Sequence, residues 1–401
     1  MGPISFEITY RIGDARRGVI NTKHGDIQTP AFVPVATTAT IKGITMKQLE
    51  EIGADCTLSN TYHLFLRPGN EIIKKQKGLH GFMHWDKPIF TDSGGFQAFS
   101  LGAGMENERS KFGKEKSVVD GKSDSKHHEN FAKVTDEGVY FKSVYDGSKH
   151  FMGAKESMQI QADLGADIIM AFDECTSPHH DYAYHKIALE RTKDWALQSL
   201  EFHDKKQALY GIIQGGKYED LRKESAVFTN NQAFDGIAIG GSFGDAYGDS
   251  KKNMHDVLDW VIPLLDDRPR HMLGIGGIDD IFECVSRGID TFDCVHPTRI
   301  ARRGNLFIRP ESGGSMDNKF RVPIKTASFK HSSDPIDKNC DCFTCKHYSK
   351  SYLRHLFVNK EITYYQLAII HNLRFMFRLM QDIRESLENG TFEELKSQWL
   401  Q

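Results

Sequence analysis

The fold is decided by a segment in which two apolar runs flank one helical pattern: ADIIMAFDE at residues 166–174, HKIALERTKDWALQSLEFHDKK at 185–206 and ALYGIIQGG at 208–216. In the middle run, apolar residues return every three or four positions, which is the period of an amphipathic helix. The two flanking runs are almost continuously apolar, which is typical of parallel strands that are covered on both faces. The segment therefore predicts a strand, a helix and a second strand of a parallel sheet.

Similar apolar runs recur along the chain with helical patterns between them. The eight runs are AFVPVAT (31–37), CTLSN (56–60), PIFTDSGG (88–95), ADIIMAFDE (166–174), ALYGIIQGG (208–216), GIAIGG (236–241), RHMLGIGG (270–277) and GIDTFDCV (288–295). Eight strands in about 265 residues match the number and size of a (β/α)8 TIM barrel, an α/β fold. A doubly wound open sheet is the structural alternative.

Three segments do not fit a plain barrel. Residues 6–30 alternate and turn like an N-terminal β-hairpin that plugs or flanks the barrel. Residues 103–135 follow the third strand and are rich in Lys, Ser, Asp and Glu, which predicts a mobile insert or lid. The cysteines at 340–345 and a long helical pattern at 363–389 come after the barrel pattern ends. We therefore predict a catalytic barrel domain at 1–310 and a metal-binding subdomain at 311–401.

Composition and charge limit the class of protein. No run approaches the roughly 18 unbroken apolar residues of a membrane helix, and the first residues have no secretory pattern, so we expect a cytoplasmic protein with no membrane partner. The net charge is −3, from 51 basic and 54 acidic residues. Between residues 299 and 330, however, eight Lys or Arg stand against two acidic residues. A local cationic patch favours a polyanion bound at one place, and a solvated loop is the alternative.

Polar residues and glycines lie at the ends of the predicted strands, where TIM barrels place their active groups. They are Asp92, Asp173, Gln214, Gly240, Gly241, Gly274–Gly277 and Asp293. A single Asp at a strand end is more often a helix cap or an ion-pair partner. Paired carboxylates, however, are the groups that cleave glycosidic bonds in many enzymes. Glycines allow a flat ring to approach the backbone, and the hydrogen-bonding groups of Asp and Gln match the edge of a purine. The set predicts a site for a base, next to a cationic loop for phosphates.

Three of the seven cysteines crowd into CDCFTC at 340–345. Cysteines this close do not form a useful disulfide framework in a cytosolic protein, so Cys340, Cys342 and Cys345 are predicted metal ligands. A closed zinc site needs a fourth ligand, and His347 and His355 are nearest in sequence. Reduced, unligated thiols are the alternative.

Several motifs, in this order, resemble the tRNA-guanine transglycosylases, also called the queuine tRNA-ribosyltransferase family, in their bacterial form. The motifs are TDSGGFQAFSLG (91–102), MAFDEC (170–175), GIIQGG (211–216), AIGG (238–241), FDCVHPTRIARRGNLF (292–307) and the C-x-C-x2-C cluster. The resemblance extends from about residue 6 to 390. It implies a barrel with a zinc subdomain that exchanges the wobble guanine of tRNA for a 7-deazaguanine in queuosine biosynthesis.

The resemblance also implies roles for the residues that match. Asp293 would be the nucleophile that attacks C1′ of the ribose, and Asp92 the general acid and base that protonates the leaving guanine. The remaining matches would bind the substrates: Asp173, Gln214 and the backbone of Gly241 the edge of the base, Phe96 and Leu273 its two faces, and Arg299, Arg302 and Arg303 the tRNA anticodon loop.

The family's spacing selects His371 as the fourth ligand of one structural Zn²⁺ per subunit. It also places Tyr348, Tyr352 and His355 at a subunit contact, so we expect a homodimer. The chain departs from the family between Ser242 and Asp245, where bacterial members bind the aminomethyl group of the incoming base. We expect 7-aminomethyl-7-deazaguanine, with a queuine-using enzyme as an alternative.

Two other classes of function are alternatives. A catalytically silent RNA-binding accessory subunit of the same fold should lack the acid pair, and both Asp92 and Asp293 are present. A barrel hydrolase with a catalytic metal needs ligands in the barrel mouth, and no histidine pair follows the predicted strands.

Overall fold

The structure, a computed structural model, describes residues 2–99, 132–241 and 250–401. It begins with a three-stranded antiparallel sheet of Ser5–Ile12, Ala15–Thr22 and Gly25–Thr29. The sequence predicted a hairpin here, and the structure has one strand more because the chain turns back again at residues 23 and 24. Ile20 and Ile27 are buried in the same apolar cluster as the interior of the barrel. The sheet therefore plugs the amino-terminal end of the barrel.

A buried ion pair fixes this sheet to the barrel. Arg16 donates from Nε and Nη2 to the two carboxylate oxygens of Asp290, at 2.8 and 2.5 Å, and both side chains are fully buried. Asp290 also accepts from the backbone N–H of Arg270 at 2.6 Å. Such two-point pairing satisfies most of the hydrogen-bonding capacity of charges that would be costly to bury alone.

The predicted TIM barrel is confirmed: eight parallel strands form its wall. In chain order, the first to eighth barrel strands are Ala31–Pro34, Thr57–Ser59, Ile89–Thr91, Ile168–Met170, Ala208–Ile213, Gly236–Ile239, Arg270–Met272 and Thr291–Cys294. The eighth strand pairs with the first, and a bridge between Val35 and Leu58 joins the first to the second. Every residue of the first seven strands is buried, which explains why they read as continuous apolar runs.

Helices surround this barrel. In chain order they are Met46–Glu51, Thr61–Leu66, Asn70–Lys75, Gly78–Met83, Ala154–Leu164, Tyr182–Phe202, Glu219–Asn230, Ser250–Val261 and Ile278–Ser286. The longest of them, Tyr182–Phe202, is capped by Asp181, whose side chain accepts from the backbone N–H of Tyr184 at 2.9 Å. This helix buries Leu189 and Trp195 against the barrel. Among the described residues, no helix is long and apolar enough to cross a membrane.

A small antiparallel sheet follows the third barrel strand. Its strands are Ala132–Val134, Val139–Lys142 and Lys149–Met152. The predicted mobile insert of residues 103–135 lies outside the described residues up to residue 131. Residues 132–134 of the predicted insert form a strand that pairs with 139–141, and the mobility of the insert stays a prediction. The alternation in VYF was missed because polar residues surround it.

The segment after the eighth strand is a helix, where the sequence suggested a cationic loop. This arginine helix, His296–Arg302, has Pro297 in its first turn, where a missing N–H costs nothing. Two short antiparallel strands, Asn305–Phe307 and Arg321–Pro323, follow it. They form a hairpin, and its residues Phe307 and Arg321 line the same cavity as Cys294, the last residue of the eighth strand.

The C-terminal part is helical: Phe343–His347, Lys350–Val358, Ile362–Asn389 and Phe392–Leu400. The long helix was predicted almost to the residue, and it ends at Gly390, whose φ of 76° closes the last turn. Its buried Asn372 donates to the carbonyl oxygens of Pro297 and Asn305 and accepts from the N–H of Phe307. The helix is thereby fastened to the arginine helix and the hairpin, while a domain division at residue 310 stays a prediction.

Candidate active site and metal site

Asp293 lies in the eighth barrel strand, at the carboxyl-terminal mouth of the barrel. Its Oδ1 accepts from the backbone N–H of Gly274 at 3.0 Å and lies 3.2 Å from Nε2 of His271. Nδ1 of His271 lies 2.8 Å from the hydroxyl oxygen of Thr291, so the neutral ring can accept there and donate to Asp293. Both contacts of the carboxylate are made through Oδ1. Among the described residues, the arrangement therefore holds Oδ1 of Asp293 and leaves Oδ2 without a hydrogen-bond partner.

Asp92 follows directly after the third barrel strand. Its Oδ1 accepts from the backbone N–H of Thr61 at 2.8 Å, and its Oδ2 accepts from the side-chain amide of Asn60. The pKa of Asp92 is raised to about 7: burial is the largest cause and the negative charge of Asp293 adds to it, while the hydrogen bonds from Thr61 and Asn60 oppose the rise. A carboxyl group with this pKa can gain or lose a proton near neutral pH.

The two carboxylates come from the third and eighth strands, which the first and second strands separate in the barrel wall. Phe90, two residues before Asp92, stacks on the ring of His271 with centroids 5.5 Å apart and planes inclined by 26°. His271 in turn contacts Asp293. The stacked pair joins the third and seventh strands beneath the mouth, and the negative charge of Asp293 contributes to the raised pKa of Asp92.

Asp173 and Gln214 form a second buried polar group at the mouth. Asp173 accepts from the hydroxyl of Ser93 at 3.0 Å on Oδ1 and from Nε2 of Gln214 at 2.7 Å on Oδ2. Burial raises the pKa of Asp173 to about 6, although both hydrogen bonds lower it. The carboxyl can therefore present acceptors, or one donor when protonated, to a polar ring edge.

Glycines are required where the backbone approaches these groups. A Cβ atom at Gly95 would lie 2.7 Å from the carbonyl oxygen of Asp173, and one at Gly240 would lie 2.4 Å from Nε2 of Gln214. Gly241 comes next, half-buried, after the sixth strand. Side chains at these positions would displace the pair that could bind a ring edge.

Phe96 and Leu273 differ in their surroundings. Phe96 is 45% exposed, so its ring is accessible from solvent. Leu273 is half-buried and packs against the apolar barrel interior just after the seventh strand. That these two side chains enclose a flat ring stays a prediction.

The arginine helix brings three cations together beside Asp293. Arg299 and Arg303 are exposed, and Arg302 is half-buried. The pKa of Arg302 is lowered by burial and then by the positive charges of Arg299 and Arg303. Because these charges repel one another, a bound polyanion would stabilise them together.

A cavity of about 340 Å³ lies between the loop after the seventh strand and the hairpin. Its lining includes Gly274, Cys294, His296, Lys319 and Arg321. The cavity therefore lies next to Gly274, which contacts Asp293, and its lining combines the cationic Lys319 and Arg321 with the acidic Asp279 and Asp280.

The predicted ligands Cys340, Cys342, Cys345 and His371 converge on one buried point. The three sulfur atoms lie 3.7, 3.6 and 3.3 Å from Nδ1 of His371, and all four ligand atoms lie within 4.8 Å of one another. Nε2 of His371 lies 2.7 Å from the carbonyl oxygen of Phe307, so it donates there and leaves Nδ1 free to coordinate. The cluster can hold a metal ion, and its three cysteines with one histidine form a closed tetrahedral donor set.

Comparison with known proteins agrees with this geometry. The family model described as queuine tRNA-ribosyltransferase matches residues 12–401. Similar curated proteins include "Putative queuine tRNA-ribosyltransferase" of Archaeoglobus fulgidus, 48% identical over 99% of both chains, and "Queuine tRNA-ribosyltransferase" of Halothermothrix orenii, 43% identical over 99% of this chain and 97% of the other. The protein of the same name in Psychrobacter cryohalolentis is 45% identical over 96% of this chain and 93% of the other. The chain belongs to the queuine tRNA-ribosyltransferase family. The resemblance drawn from its motifs is thus confirmed.

Sequence reasoning missed the residues that hold the acids of this queuine tRNA-ribosyltransferase family member. Asn60 and Thr61 bind Asp92, Ser93 binds Asp173, and His271 binds Asp293. Asn60 was detectable, because it is a polar residue at the end of the second predicted strand. His271 lies inside an apolar run, and nothing in its neighbours indicated that it faces Asp293.

Two segments that the sequence analysis singled out lie wholly or largely outside the described residues. The recognition loop that begins at Ser242 and includes Asp245 falls within 242–249, and most of the insert falls within 100–131. The geometry of the mouth described above therefore concerns the remaining residues of this family member.

Proposed function

We propose that this chain exchanges the wobble guanine of a tRNA for a 7-deazaguanine in queuosine biosynthesis. The observation that supports this most is the pair of carboxyl groups at the mouth, one held by Gly274 and His271 and the other with a pKa of about 7. The family supplies tRNA as substrate, since the relatives are named for ribosyl transfer to tRNA. An accessory subunit without catalysis would have no need of this pair.

The reaction that fits is a double displacement. Oδ2 of Asp293 attacks C1′ of the ribose, the bond from C1′ to N9 of guanine breaks, and Asp92 gives its proton to the leaving guanine. The resulting ester joins the RNA to Asp293. Asp92, now a carboxylate, takes a proton from the incoming base, whose N9 attacks C1′ and releases Asp293. Both acids end in the state in which they began.

The base-binding part of the proposal rests on Asp173, Gln214 and the glycines beside them. The side chains of Asp173 and Gln214 already form a hydrogen bond with each other at 2.7 Å. An entering base would replace this bond with hydrogen bonds from its own edge to both side chains. Gly241 offers backbone groups, and Phe96 and Leu273 the ring faces. We propose 7-aminomethyl-7-deazaguanine as the incoming base, with queuine as the alternative.

Base exchange with labelled guanine tests this function. Radiolabelled guanine is offered with tRNAs of different anticodons, and each candidate deazaguanine is then added as a chase. We expect label to enter only tRNAs with a wobble guanine and 7-aminomethyl-7-deazaguanine to prevent further exchange once inserted. Failure to label any tRNA would contradict the proposal, and a block by queuine alone would select the alternative base.

The pKa of Asp92 predicts how adduct formation depends on pH. Because the pKa is raised to about 7, the carboxyl keeps its proton below that pH and can donate it to guanine. Above it, we expect the rate of a single round of adduct formation to fall about tenfold per pH unit. Rapid-quench measurements across pH check this, with Asp92→Asn as comparison. A wild-type rate that stays constant through neutral and alkaline pH would exclude Asp92 as the donor.

His271 is proposed to position the nucleophile. His271→Leu removes the partner of Asp293 Oδ1 and should lower kcat by about 10- to 100-fold, since hydrogen bonds to charged groups contribute about 1.5–3 kcal/mol. KM for tRNA should change little, because the ring is fully buried and cannot reach RNA. His271→Gln keeps a donor and should recover part of the rate. A Gln variant as slow as the Leu variant, or a change in KM alone, would argue against positioning.

The arginine helix is proposed to bind the phosphates of the anticodon loop. Arg299→Ala combined with Arg303→Ala should weaken tRNA binding and reduce the slope of log K against log salt by about 0.7 for each phosphate that is no longer neutralised. The control is Lys23→Ala with Lys206→Ala, two exposed cations on the amino-terminal face. Filter binding over a range of salt separates the two, and an equal change in both double variants would mean a general charge effect.

We propose that the metal held by Cys340, Cys342, Cys345 and His371 is one structural Zn²⁺ per subunit. All four positions of a tetrahedral ion are filled by protein atoms, so it would not act on substrate. We also propose a homodimer, since Tyr348, at the end of the helix Phe343–His347, stacks at 5.2 Å on Tyr352 of the next helix, and Tyr352 is 43% exposed. Residues 311–401 would then be the subdomain that provides both the zinc site and the dimer contact.

A further inference from the structure

A second group of potential metal ligands lies on the opposite face of the barrel from Asp92 and Asp293. It consists of His24 in the turn between the second and third strands of the N-terminal sheet, His80 in the helix Gly78–Met83, and Asp167 just before the fourth barrel strand. Apart from the cysteine cluster, it is the one such group among the described residues. The reaction proposed above makes no use of it.

The three side chains meet around one carboxylate. Asp167 Oδ1 lies 2.6 Å from Nδ1 of His24, Oδ2 lies 3.2 Å from Nε2 of His80, and the three candidate ligand atoms all lie within 4.8 Å of one another. Oδ2 also accepts from the backbone N–H of Ile89 at 2.9 Å, which fixes the orientation of the carboxylate. The side chain of Asp167 is only 4% exposed, so the packed residues around it restrict the movement of its carboxylate.

The two imidazole rings are arranged in an unusual way for a simple pair of hydrogen bonds. They stack with centroids 3.6 Å apart and planes inclined by 27°. Nε2 of His80 is buried and, among the described residues, makes no hydrogen bond of good geometry, although Oδ2 of Asp167 lies 3.2 Å away. Two positive rings face to face would repel each other. A cation between the ring nitrogens and the carboxylate would satisfy the nitrogen lone pairs with both rings neutral.

We propose that His24, His80 and Asp167 bind a divalent transition-metal ion such as Zn²⁺. Two imidazoles and one carboxylate are a donor set that such ions accept, whereas Mg²⁺ and Ca²⁺ prefer oxygen alone. Zinc bonds of about 2.0–2.2 Å place tetrahedral ligand atoms about 3.4 Å apart. The 3.2 Å between His80 and Asp167 fits this spacing.

The contact of His24 with Asp167 must open when the ion enters. Their separation of 2.6 Å is that of a hydrogen bond, so the ring has to move outward by somewhat less than about 1 Å to reach the spacing of zinc ligands. His24 can do so, since its side chain is 28% exposed and lies in a hairpin turn. The same exposure leaves the fourth position of the ion open to water.

Such an ion would crosslink three elements at the amino-terminal end of the barrel. His24 belongs to the sheet that plugs the barrel, His80 to an outer helix and Asp167 to the entry of a barrel strand. Joining these three elements through one ion would stabilise the folded chain increasingly as the metal concentration rises, since only the folded state brings the three ligands together.

Cobalt titration of the full-length protein, with the cysteine cluster kept loaded with zinc, tests this site. We expect wild type to bind one further Co²⁺ per chain, with visible bands but without the near-ultraviolet charge-transfer absorption that thiolate ligands give. His24→Gln and His80→Gln should weaken this binding by at least about tenfold. The matched control is His84→Asn, an exposed histidine at φ 52°, a conformation that asparagine tolerates.

Each outcome decides. Loss of the extra equivalent in both Gln variants and its retention in His84→Asn support the site. If His80→Gln does not fold, His24→Gln decides alone, because His24 lies in a partly exposed turn. No further equivalent in wild type, or an equivalent that persists unchanged in both Gln variants, would overturn the proposal and leave a hydrogen-bonded cluster without metal.

Discussion

Replacing Asp293 with alanine is expected to abolish base exchange. The variant loses the only protein atom proposed to form a bond with C1′, so we expect the rate of guanine incorporation to fall by roughly 10⁴-fold or more. Incorporation of labelled guanine into tRNA under single-turnover conditions measures this. Binding of tRNA should persist, because the arginine helix is unchanged.

Two further variants make this result specific. Asp293→Asn keeps the volume and can still accept from Gly274 and His271, so its fold should be intact while its amide oxygen is a poor nucleophile. Asp86→Ala removes an exposed carboxylate that precedes the third barrel strand, at the end away from Asp92, and this variant should be fully active. Exchange by Asp293→Asn at the wild-type rate would show that Asp293 does not form the ester.

Replacing His371 with alanine is expected to cause the largest loss of stability. The side chain is fully buried and contacts three cysteines of the 340–345 turn and the carbonyl oxygen of Phe307. Without it the metal site has three ligands, and the turn is no longer tied to the long helix. Since zinc binding contributes about 10–16 kcal/mol in zinc-finger peptides, we expect the free energy of unfolding to fall by several kcal/mol.

Metal analysis and melting temperature check this second prediction together. His371→Ala should lose the tightly bound ion and melt at a lower temperature. His347→Ala is the control, because His347 is exposed, lies two residues from Cys345 and was the nearest rival ligand in sequence. A His371→Ala protein that keeps its ion and its melting temperature would mean that another group completes the site.

Much of the barrel and the positions of its acidic residues could be predicted, because strands that are buried on both faces appear in the sequence as short apolar runs. The first seven strands are buried at every position, so each reads as an apolar run, and Asp92 and Gln214 follow directly where a run ends. The long helix was also predictable, because its apolar face repeats over 28 residues and a glycine follows it. Periodicity and strand ends thus located the fold and the mouth.

Local structure that depends on distant contacts could not be predicted. The arginine helix has only seven residues, and it is held by Asn372, which is more than sixty positions away in the chain. The strands at 132–152 are short and lie among polar residues, so their pairing had no visible pattern. Short elements of this kind exist because of tertiary contacts, which sequence periodicity does not report.

The residues that support the acids were hidden for the same reason. His271 sits in the buried seventh strand, where a histidine is most simply explained as a core residue, and its role depends on Thr291 and Asp293 in the next strand. Asp167 and His80 were passed over because their partner, His24, belongs to the N-terminal sheet. Neither the group around His271 nor the group around Asp167 could be recognised without the three-dimensional structure.

The ester between RNA and Asp293 is the central claim, and mass spectrometry of a trapped adduct tests it most directly. Wild-type protein is mixed with tRNA, denatured and digested with nuclease and protease, and the modified peptide is sequenced. We predict one peptide carrying a ribosyl group on Asp293, absent from Asp293→Asn. A ribosyl group on Asp92 or any other residue, or no covalent RNA on an enzyme that is exchanging guanine, would contradict the account.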